Sequence, residues 1–340
     1  MNIKTEITKI HYDENPKGLL YCVLKFGSLF YSLGSRLKNL LYDKEFIIPK
    51  KVDGFVVSVG NLTTGGVGKT PVVAELAKYY LSQGEKVAIV SRGYGGKLNN
   101  KHVNLISDGI NLYYNAEQAG DEPYWFAVNL NLCAVLTCAD RYKACRFAVN
   151  NLGVTKIILD DGFQHRKFHR DLDIVLVDSE KQFGNWDELP AGPLREGISN
   201  IKRADKIVVV SKNTEHSKAE SFVKELITFT SKEVLLCKIE PEYIYNIISG
   251  EHLEKGAEIT ALSAIGQPEQ FYKFLETDYT VKDKIAFDDH HQYNLDEIKN
   301  ISGIIVTTEK DAVKLSLLGL NNIFALKLKT DIDSEKLLKI

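Results

Sequence analysis

Cysteine is scarce in this sequence, and neither sign of charge is in excess. Five cysteines are scattered over 340 residues without a C-x-x-C pair, a pattern typical of reduced thiols in the cytosol rather than of a disulfide framework. Forty-three lysines and arginines against 45 aspartates and glutamates leave a net charge of −2, so no overall field attracts nucleic acid. We therefore expect no nucleic-acid partner and a local site for any anionic ligand, and the sequence indicates no obligate protein partner.

An apolar run that clearly suffices to cross a bilayer is also missing. The most apolar stretch, residues 18–34, covers about 17 residues with Lys25 inside it, at or below the ~17–25 that a membrane-spanning helix needs. Lysines precede it, but it lacks the small-residue cleavage site of a signal peptide. Its aromatic residues and cationic flanks favour a helix at the membrane–water interface, while a helix docked on the protein core fits the residues equally well.

The composition is otherwise ordinary for a globular chain, with 44% hydrophobic and 26% charged residues. A chain of 340 residues exceeds the ~250–300 residues at which single cores stop growing, so two domains are expected. We predict an apolar or amphipathic, membrane-associating N-terminal region over residues 1–50, a phosphate-loop core over residues 51–230, and a smaller C-terminal α/β domain over residues 231–340.

Short apolar runs alternate with helical patterns from residue 54 onward, as in a series of β–α units. Because these runs are apolar on both faces, they favour a buried parallel sheet. The predicted fold class is therefore α/β, with a mostly parallel sheet flanked by helices. The expected strands lie at residues 55–59, 86–90, 132–136, 156–159, 173–177, 206–210, 234–239 and 304–307.

A glycine-rich loop at residues 58–71 joins the first predicted strand to a helix. Thr63 stands where the usual G-x-x-x-x-G-K-[ST] pattern has glycine, but the Gly-Lys-Thr ending is kept. Such glycines let backbone N–H groups converge on phosphate oxygens, while Lys69 would reach the β- and γ-phosphates and Thr70 would ligate Mg²⁺. A turn that binds nothing is the weaker alternative. The predicted nucleotide-binding residues are Thr63, Thr64, Gly65, Gly66, Val67, Gly68, Lys69 and Thr70.

Two acidic pairs are candidates for metal binding and proton transfer. Asp160 and Asp161 directly follow an apolar strand, where carboxylates of a parallel sheet lie beside the phosphate loop. They are predicted to hold Mg²⁺ or to orient the nucleophile, in preference to merely capping a turn. Asp121 and Glu122 form a second acidic turn, where a carboxylate could accept a hydroxyl proton. From the residues alone, turn formation is the stronger interpretation at that position.

Further charged loops follow other strands. Arg195 could clamp a phosphate, and Glu196 could join the metal or the acceptor hydroxyl. His290 and His291 follow two aspartates, but their spacing matches neither a closed zinc site nor ligands one helical turn apart. Orienting a catalytic carboxylate is the favoured use of this segment. Other candidates at the same sheet edge are Arg92, Tyr94 and His165.

Seven motifs, in order along nearly the whole chain, closely resemble the tetraacyldisaccharide 4′-kinase family of the P-loop NTPase superfamily. The most specific are the GG-x-GKTP form of the phosphate loop and the string DDGFQH. The motifs lie at residues 60–71, 91–96, 120–123, 160–166, 190–196, 288–293 and 307–312.

This resemblance implies a kinase that uses ATP and Mg²⁺ to phosphorylate the 4′-hydroxyl of a lipid A precursor, a tetraacyl-disaccharide 1-phosphate, in lipopolysaccharide biosynthesis. It implies an enzyme at the cytoplasmic face of the bacterial inner membrane, and residues 18–34 correspond to the family's apolar N-terminal helix. A four-chain lipid cannot leave the bilayer freely, because each buried CH₂ contributes about 0.8 kcal/mol. The interfacial interpretation of that helix is therefore preferred.

The same resemblance assigns roles within the site. Asp121 corresponds to the catalytic aspartate and His290, rather than His291, to its partner, while Lys69 acts on the phosphates. Asp160, Asp161 and Glu196 correspond to acidic positions near the metal and the phosphates. The residues expected to line the active site are Arg92, Tyr94, Glu122, Arg141, His165, Arg195 and His291.

Two other functions fit part of the sequence. A membrane-associated ATPase switch would use the same phosphate loop, but it would need no base for an acceptor hydroxyl. A metal phosphoesterase built around residues 288–291 would leave Lys69 and Thr70 without a role. The kinase is the only one of the three that uses every motif.

Overall fold

The computed structural model describes residues 3–212, 216–266, 268–289 and 291–339. Its strands are β1 (Phe55–Asn61), β2 (Val87–Ser91), β3 (Asn104–Ser107), β4 (Cys133–Thr137), β5 (Lys156–Asp160), β6 (Leu172–Asp178), β7 (Lys206–Ser211), β8 (Glu233–Asn246), β9 (Glu258–Ser263), β10 (Thr280–Ala286), β11 (Ile304–Thr308) and β12 (Ile323–Asp331).

Helices connect most of these strands. They are α1 (Ile3–His11), α2 (Leu19–Asp43), α3 (Lys69–Ser82), α4 (Ala116–Ala119), α5 (Asp121–Asn129), α6 (Arg141–Leu152), α7 (Ser217–Thr230), α8 (Glu269–Asp278), α9 (Leu295–Ile298), α10 (Glu309–Leu315) and α11 (Ser334–Leu338). Two short 3₁₀ helices occupy Ile198–Arg203 and Ser316–Leu318.

The strands of the described residues form one sheet in the order β10-β9-β11-β12-β8-β7-β6-β1-β5-β2-β4-β3. From β7 to β4 every neighbouring pair is parallel, and β3 closes that edge in the antiparallel sense. The α/β class and the mostly parallel sheet with flanking helices are thus confirmed. Because parallel strands end at the same edge, the loops after β1, β2, β5 and β6 gather there.

Strand β8 carries the sheet past the border predicted near residue 230. Its first half pairs in parallel with β7, from Glu233 to Lys238, and its second half pairs antiparallel with β12. The strands β12, β11, β9 and β10 then extend the same sheet. The division at residues 1–50, 51–230 and 231–340 stays a prediction, since the backbone pairing is continuous across residue 230.

Helix α3 packs against the sheet through the face that its periodicity predicts. Val72, Val73, Leu76 and Ala77 are all fully buried, and Tyr80 is nearly so. Burying a large apolar side chain contributes about 1.5–3 kcal/mol, so this face holds the helix that follows the phosphate loop firmly in place.

Helix α2 is oriented the opposite way from an ordinary surface helix. Two of its polar residues are buried against the protein: the Ser28 hydroxyl donates to the Glu188 carbonyl at 2.8 Å, and Asn39 donates to the Glu196 carboxylate at 3.0 Å. No helix in the described parts of the chain has the length and apolar character that a bilayer span requires. The exposed side of α2 carries Leu19, Val23, Phe26, Leu29, Phe30, Leu33, Leu37 and Leu40.

Candidate active site

The phosphate loop lies between β1 and α3. Gly65 and Gly68 have φ values of +103° and +91°, a region that side chains other than glycine rarely adopt, and Gly68 caps α3. No atom of the described residues lies within 4 Å of the position that a Cβ would take at Gly66. An open, glycine-rich backbone in front of a helix N-terminus can bind phosphate oxygens through its N–H groups.

Lys69 points back towards the end of β1. Its Nζ donates to Asn61 Oδ1 at 3.0 Å and lies 3.5 Å from Asp161 Oδ1. Asn61 also donates to the Thr63 carbonyl at 2.6 Å, so one side chain organises both the loop and its lysine. The lysine is therefore held where phosphate oxygens could replace its two present partners.

Two adjacent carboxylates differ in their surroundings. Asp160, at the end of β5, is almost fully buried, and this burial raises the pKa of its carboxyl group, with Glu122 adding to the effect. Burial also acts to raise the pKa of Asp161, but Lys69 and Arg195 outweigh it and lower the pKa below its ordinary value. Arg195 Nη1 lies 2.8 Å from each Asp161 oxygen. Asp161 is thus ionised and neutralised by cations in contact, whereas burial disfavours the charged form of Asp160.

Arg141 adds a buried cation near these carboxylates, and the half-buried His165 lies near Arg141. Burial lowers the pKa of the Arg141 guanidinium, Asp161 opposes this, and Arg92 is near enough to lower it further. Burial, reinforced by Arg141, lowers the pKa of His165 to about 4, so this ring is neutral near pH 7.

Several buried polar atoms of this group have no hydrogen-bond partner among the residues that the structure describes. They include Arg141 Nε, Asp160 Oδ1 and His165 Nε2. Buried polar groups are normally satisfied, so unsatisfied ones around the carboxylates near Lys69 indicate a ligand site.

Glu196, also predicted near the metal, is already engaged. Its carboxylate accepts hydrogen bonds from Arg203 at 2.6 Å, from Asn39 at 3.0 Å and from Gln164 at 3.0 Å. Within the described ranges no group of three or more His, Cys, Asp or Glu side chains is arranged to hold a metal ion. A magnesium ion at Asp160 would consequently take most of its ligands from phosphate oxygens and water.

Asp121 begins α5 directly after Gly120 and is only 2% exposed. Lys314 Nζ donates to its Oδ2 at 3.2 Å, which brings helix α10 from the last part of the chain into the site. The predicted partner His290 lies outside the described residues. His291 Nε2 lies 3.1 Å from Glu297 Oε2 and its ring stacks on Phe287, so that side chain contacts its own segment.

Comparison with known proteins identifies the family. The model of the tetraacyldisaccharide-1-P 4′-kinase family matches residues 20–340. This chain belongs to that family. A tetraacyldisaccharide 4′-kinase of Syntrophus aciditrophicus is 35% identical over 340 residues, covering 93% of this chain and 91% of the relative. The relative of the same name from Aquifex aeolicus is 37% identical over 321 residues, covering 93% and 96%.

A solved structure of the family has the same architecture. The crystal structure of the "apo" form of LpxK from Aquifex aeolicus in complex with ATP superimposes with a TM-score of 0.76 at 36% identity. The match covers 94% of this chain and 96% of that one. The resemblance inferred from the motifs is thereby confirmed.

Within this kinase family member, the structure brings most of the sequence-predicted residues to one sheet edge. Lys69, Asp161 and Arg195 are in direct contact, and Asp160, Glu122, Arg141, Arg92 and His165 influence one another electrostatically. Thr70 lies in the first turn of α3. Tyr94 is 77% exposed.

Three residues with clear contacts were missed in the sequence. Asn61 ends β1 just before the loop and was overlooked because amides carry no motif signal. Lys212 donates to the Gly66 carbonyl and to Asp178 at 2.9 Å, so it reaches the loop from the end of β7. Lys314 lies three residues after Asp311 in α10. The motif at residues 307–312 overlaps this helix, but the sequence predicted no function for it.

Proposed function

We propose that this chain transfers the γ-phosphoryl group of ATP to the 4′-hydroxyl of a tetraacyl-disaccharide 1-phosphate, a lipid A precursor. The observation that carries this proposal is the meeting of Lys69, Asp160 and Asp161 beside a glycine-rich helix N-terminus, in a member of the 4′-kinase family. The buried Asp121 adds a carboxylate that a phosphate-binding switch would not require.

ATP and Mg²⁺ fit the donors that the site offers. The loop from Thr63 to Thr70 supplies backbone N–H groups for phosphates, and Lys69 supplies a cation. Mg²⁺ takes oxygen ligands, and Asp160 Oδ1, a buried oxygen without a hydrogen-bond partner among the described residues, would hold it together with the Thr70 hydroxyl. When bound, the ion would neutralise charge on the phosphates.

The transfer step assigns distinct tasks to the protein's own groups. Lys69 leaves Asn61 and Asp161 to stabilise charge on the transferring phosphoryl group. Asp121 accepts the proton of the 4′-hydroxyl as the sugar oxygen attacks, with His290 as its partner by the family resemblance. Arg92, Tyr94, Arg141, His165 and Arg195 surround the reacting phosphates and the sugar.

We further propose that residues 1–50 dock the enzyme on the cytoplasmic face of the inner membrane. Most of the exposed apolar side chains of α2 recur every three or four residues, which aligns them along one side of the helix. An amphipathic helix with cationic flanks binds an anionic leaflet by burying such a face in the headgroup boundary. The acyl chains of the acceptor can then stay in the bilayer while its sugar enters the site.

Transfer of radiolabelled γ-phosphate from ATP to the tetraacyl-disaccharide 1-phosphate in detergent micelles tests this function. Lys69→Ala should abolish lipid labelling. The matched control is Lys78→Ala on the exposed side of the same helix, where the lysine pairs with Glu75 at 2.7 Å, and it should label lipid like the wild type. ATP hydrolysis without lipid labelling would instead favour an ATPase switch.

A further inference from the structure

A buried lysine from the last part of the chain contacts the predicted catalytic aspartate of the phosphate-loop core. The side chain of Lys314 is 3% exposed, and its Nζ donates to Asp121 Oδ2 at 3.2 Å and to the His291 carbonyl at 2.9 Å. The same Nζ forms an ion pair with Asp311 Oδ1 at 3.2 Å. Lys314 Nζ therefore faces three acceptor groups, Asp121 and the His291 carbonyl through hydrogen bonds and Asp311 through the ion pair.

Asp311 fixes the position of Lys314 within α10. Asp311 is fully buried, and its Oδ2 accepts hydrogen bonds from the Ala264 backbone N–H at 3.0 Å and from the Thr308 hydroxyl at 2.9 Å. Thr308 also caps α10 by accepting from the Asp311 N–H. Lys314 is therefore held in place by the last part of the chain, whereas its other partner, Asp121, belongs to the phosphate-loop core.

An ammonium group in this place has a chemical consequence for Asp121. A carboxylate that is desolvated without a cation takes up a proton, and a protonated carboxyl group cannot accept one from a hydroxyl. Among the described residues, the charged groups near Asp121 include Lys314, its ion-pair partner Asp311 and the adjacent Glu122, and the Tyr293 hydroxyl is neutral because burial and then Asp311 raise its pKa. Lys314 is the only cation among these named neighbours.

We propose that Lys314, braced by Asp311, is the positioning residue of the reaction: it fixes the direction of the Asp121 carboxylate and keeps it ionised. The inference rests on the proposed function, in which Asp121 is the base. Asp121 begins α5 and Lys314 belongs to α10, 193 positions later in the chain. The site is therefore complete only when α10 is docked against α5.

The competing possibility is that Lys314 only neutralises Asp311 within its own helix. A pair of variants separates the two roles. Lys314→Met removes the cation that contacts two buried carboxylates, which is expected to impair folding. In Lys314→Met/Asp311→Asn the Asp311 carboxylate is removed as well. If Lys314 served only to neutralise Asp311, this double variant would lose nothing in catalysis.

We expect the double variant to fold, with a thermal midpoint and a KM for ATP close to those of the wild type. Its kcat for lipid phosphorylation should fall by about 100-fold, the range of general-base catalysis, and the acidic limb of its kcat/KM profile should move to higher pH. Lys327→Met, which removes an ion pair with Glu309 on the first turn of the same helix, is the control and should change neither. A double variant with wild-type kcat and pH profile overturns the proposal.

Lys314→Arg keeps the test decisive if the double variant does not fold. It retains the charge but not the position of the donor, so kcat should drop while the acidic limb stays in place. Full kcat in this variant refutes a positioning role.

A second readout does not depend on lipid phosphorylation. The infrared band of the protonated Asp121 carboxyl group is identified by its absence in Asp121→Asn, and its intensity follows the titration of Asp121 directly. In Lys314→Met/Asp311→Asn this band should persist to higher pH than in the wild type. If only Lys314→Met folds, the same measurement is made on that variant. A wild type that transfers no phosphate would overturn the proposed function, and this titration would still decide the role of Lys314. If Asp121 titrates at the same pH in the variant and in the wild type, the inference about Lys314 is overturned and the proposed function is not.

Discussion

The hydroxyl of Tyr31 donates a 2.8 Å hydrogen bond to the backbone carbonyl of Arg195. Tyr31 belongs to α2, whose opposite side is apolar and exposed, while Arg195 binds Asp161 beside Lys69. The backbone N–H of Arg195 also donates to the Leu62 carbonyl at 2.7 Å, at the start of the phosphate loop. A single short segment thus joins the proposed membrane helix to the groups that bind phosphate.

Tyr31→Phe should weaken this connection without unfolding the protein. Loss of one hydrogen bond costs about 0.5–1.5 kcal/mol, and here part of that loss would be felt as a lower rate of lipid phosphorylation. Tyr21→Phe is the matched control, since Tyr21 on the same helix donates to Asp187 at 2.9 Å and not to Arg195. Equal rates in the two variants would mean that α2 merely docks and does not influence the site.

The exposed side of α2 should govern membrane binding. Replacing Phe26 and Phe30 by serine removes two side chains that are 64% and 66% exposed, so the thermal midpoint should stay unchanged. Each fully buried aromatic contributes about 1.5–3 kcal/mol, which corresponds to at least tenfold weaker co-sedimentation with anionic vesicles per residue. The control is Ile110→Ser, an exposed apolar residue far along the chain. Undiminished vesicle binding by the serine variant would rule out α2 as the anchor.

Acid should destabilise the protein through His165. Its folded pKa is lowered to about 4 by burial and by Arg141, below the unfolded value near 6.5. Between these values the unfolded state binds the proton and the folded state does not, so stability falls as pH decreases from 6.5 to 4, by up to about 3 kcal/mol. Denaturant titrations of His165→Gln should show a flatter pH dependence in this window.

His169→Gln serves as the control for that measurement. The His169 side chain is 42% exposed, so this variant controls for the loss of a histidine that the fold does not bury. An unaltered slope in His165→Gln would show that this ring is not kept neutral by the fold.

Of two glycines at the phosphate loop, only one should lose stability when it is replaced by alanine. A Cβ at Gly60 would meet Phe163 Cβ at 2.6 Å and its backbone nitrogen at 2.9 Å, so β1 and the DDGF turn would have to move apart. Overpacking of this kind typically costs about 1–3 kcal/mol. Gly66→Ala meets no atom of the described chain within 4 Å and should leave the denaturation midpoint unchanged. Similar midpoints for both variants would contradict the close contact at Gly60.

Much of the fold and of the phosphate site could be predicted from sequence because the signals are local. The strand before residue 62, the glycines, Lys69 and the apolar face of α3 follow one another within about two dozen residues, and periodicity reports each element. Asp160 and Asp161 could be placed beside the loop because strand ends of a parallel sheet share one edge. In the structure β1 pairs with β5, and Val59 lies opposite Asp160, just before the phosphate loop.

The contacts of Glu196 and His291 could not be predicted in this way. Glu196 faces Arg203, Asn39 and Gln164, which come from three separate segments of the chain. His291 turns its ring towards Glu297 and Phe287 rather than along the site. Residue type indicates what a side chain can bind, but only chain path and rotamer decide which partner lies within reach.

The sequence by itself determined the α/β class, the phosphate loop and the family, because each depends on consecutive residues whose chemistry and order are sufficient. Only the tertiary structure decided which side of α2 faces outward, since a periodic stripe is compatible with a buried or an exposed face. It also decided that Lys314 meets Asp121, across 193 positions. Such contacts depend on how the whole sheet folds, since no local pattern records a distance between residues that only folding brings together.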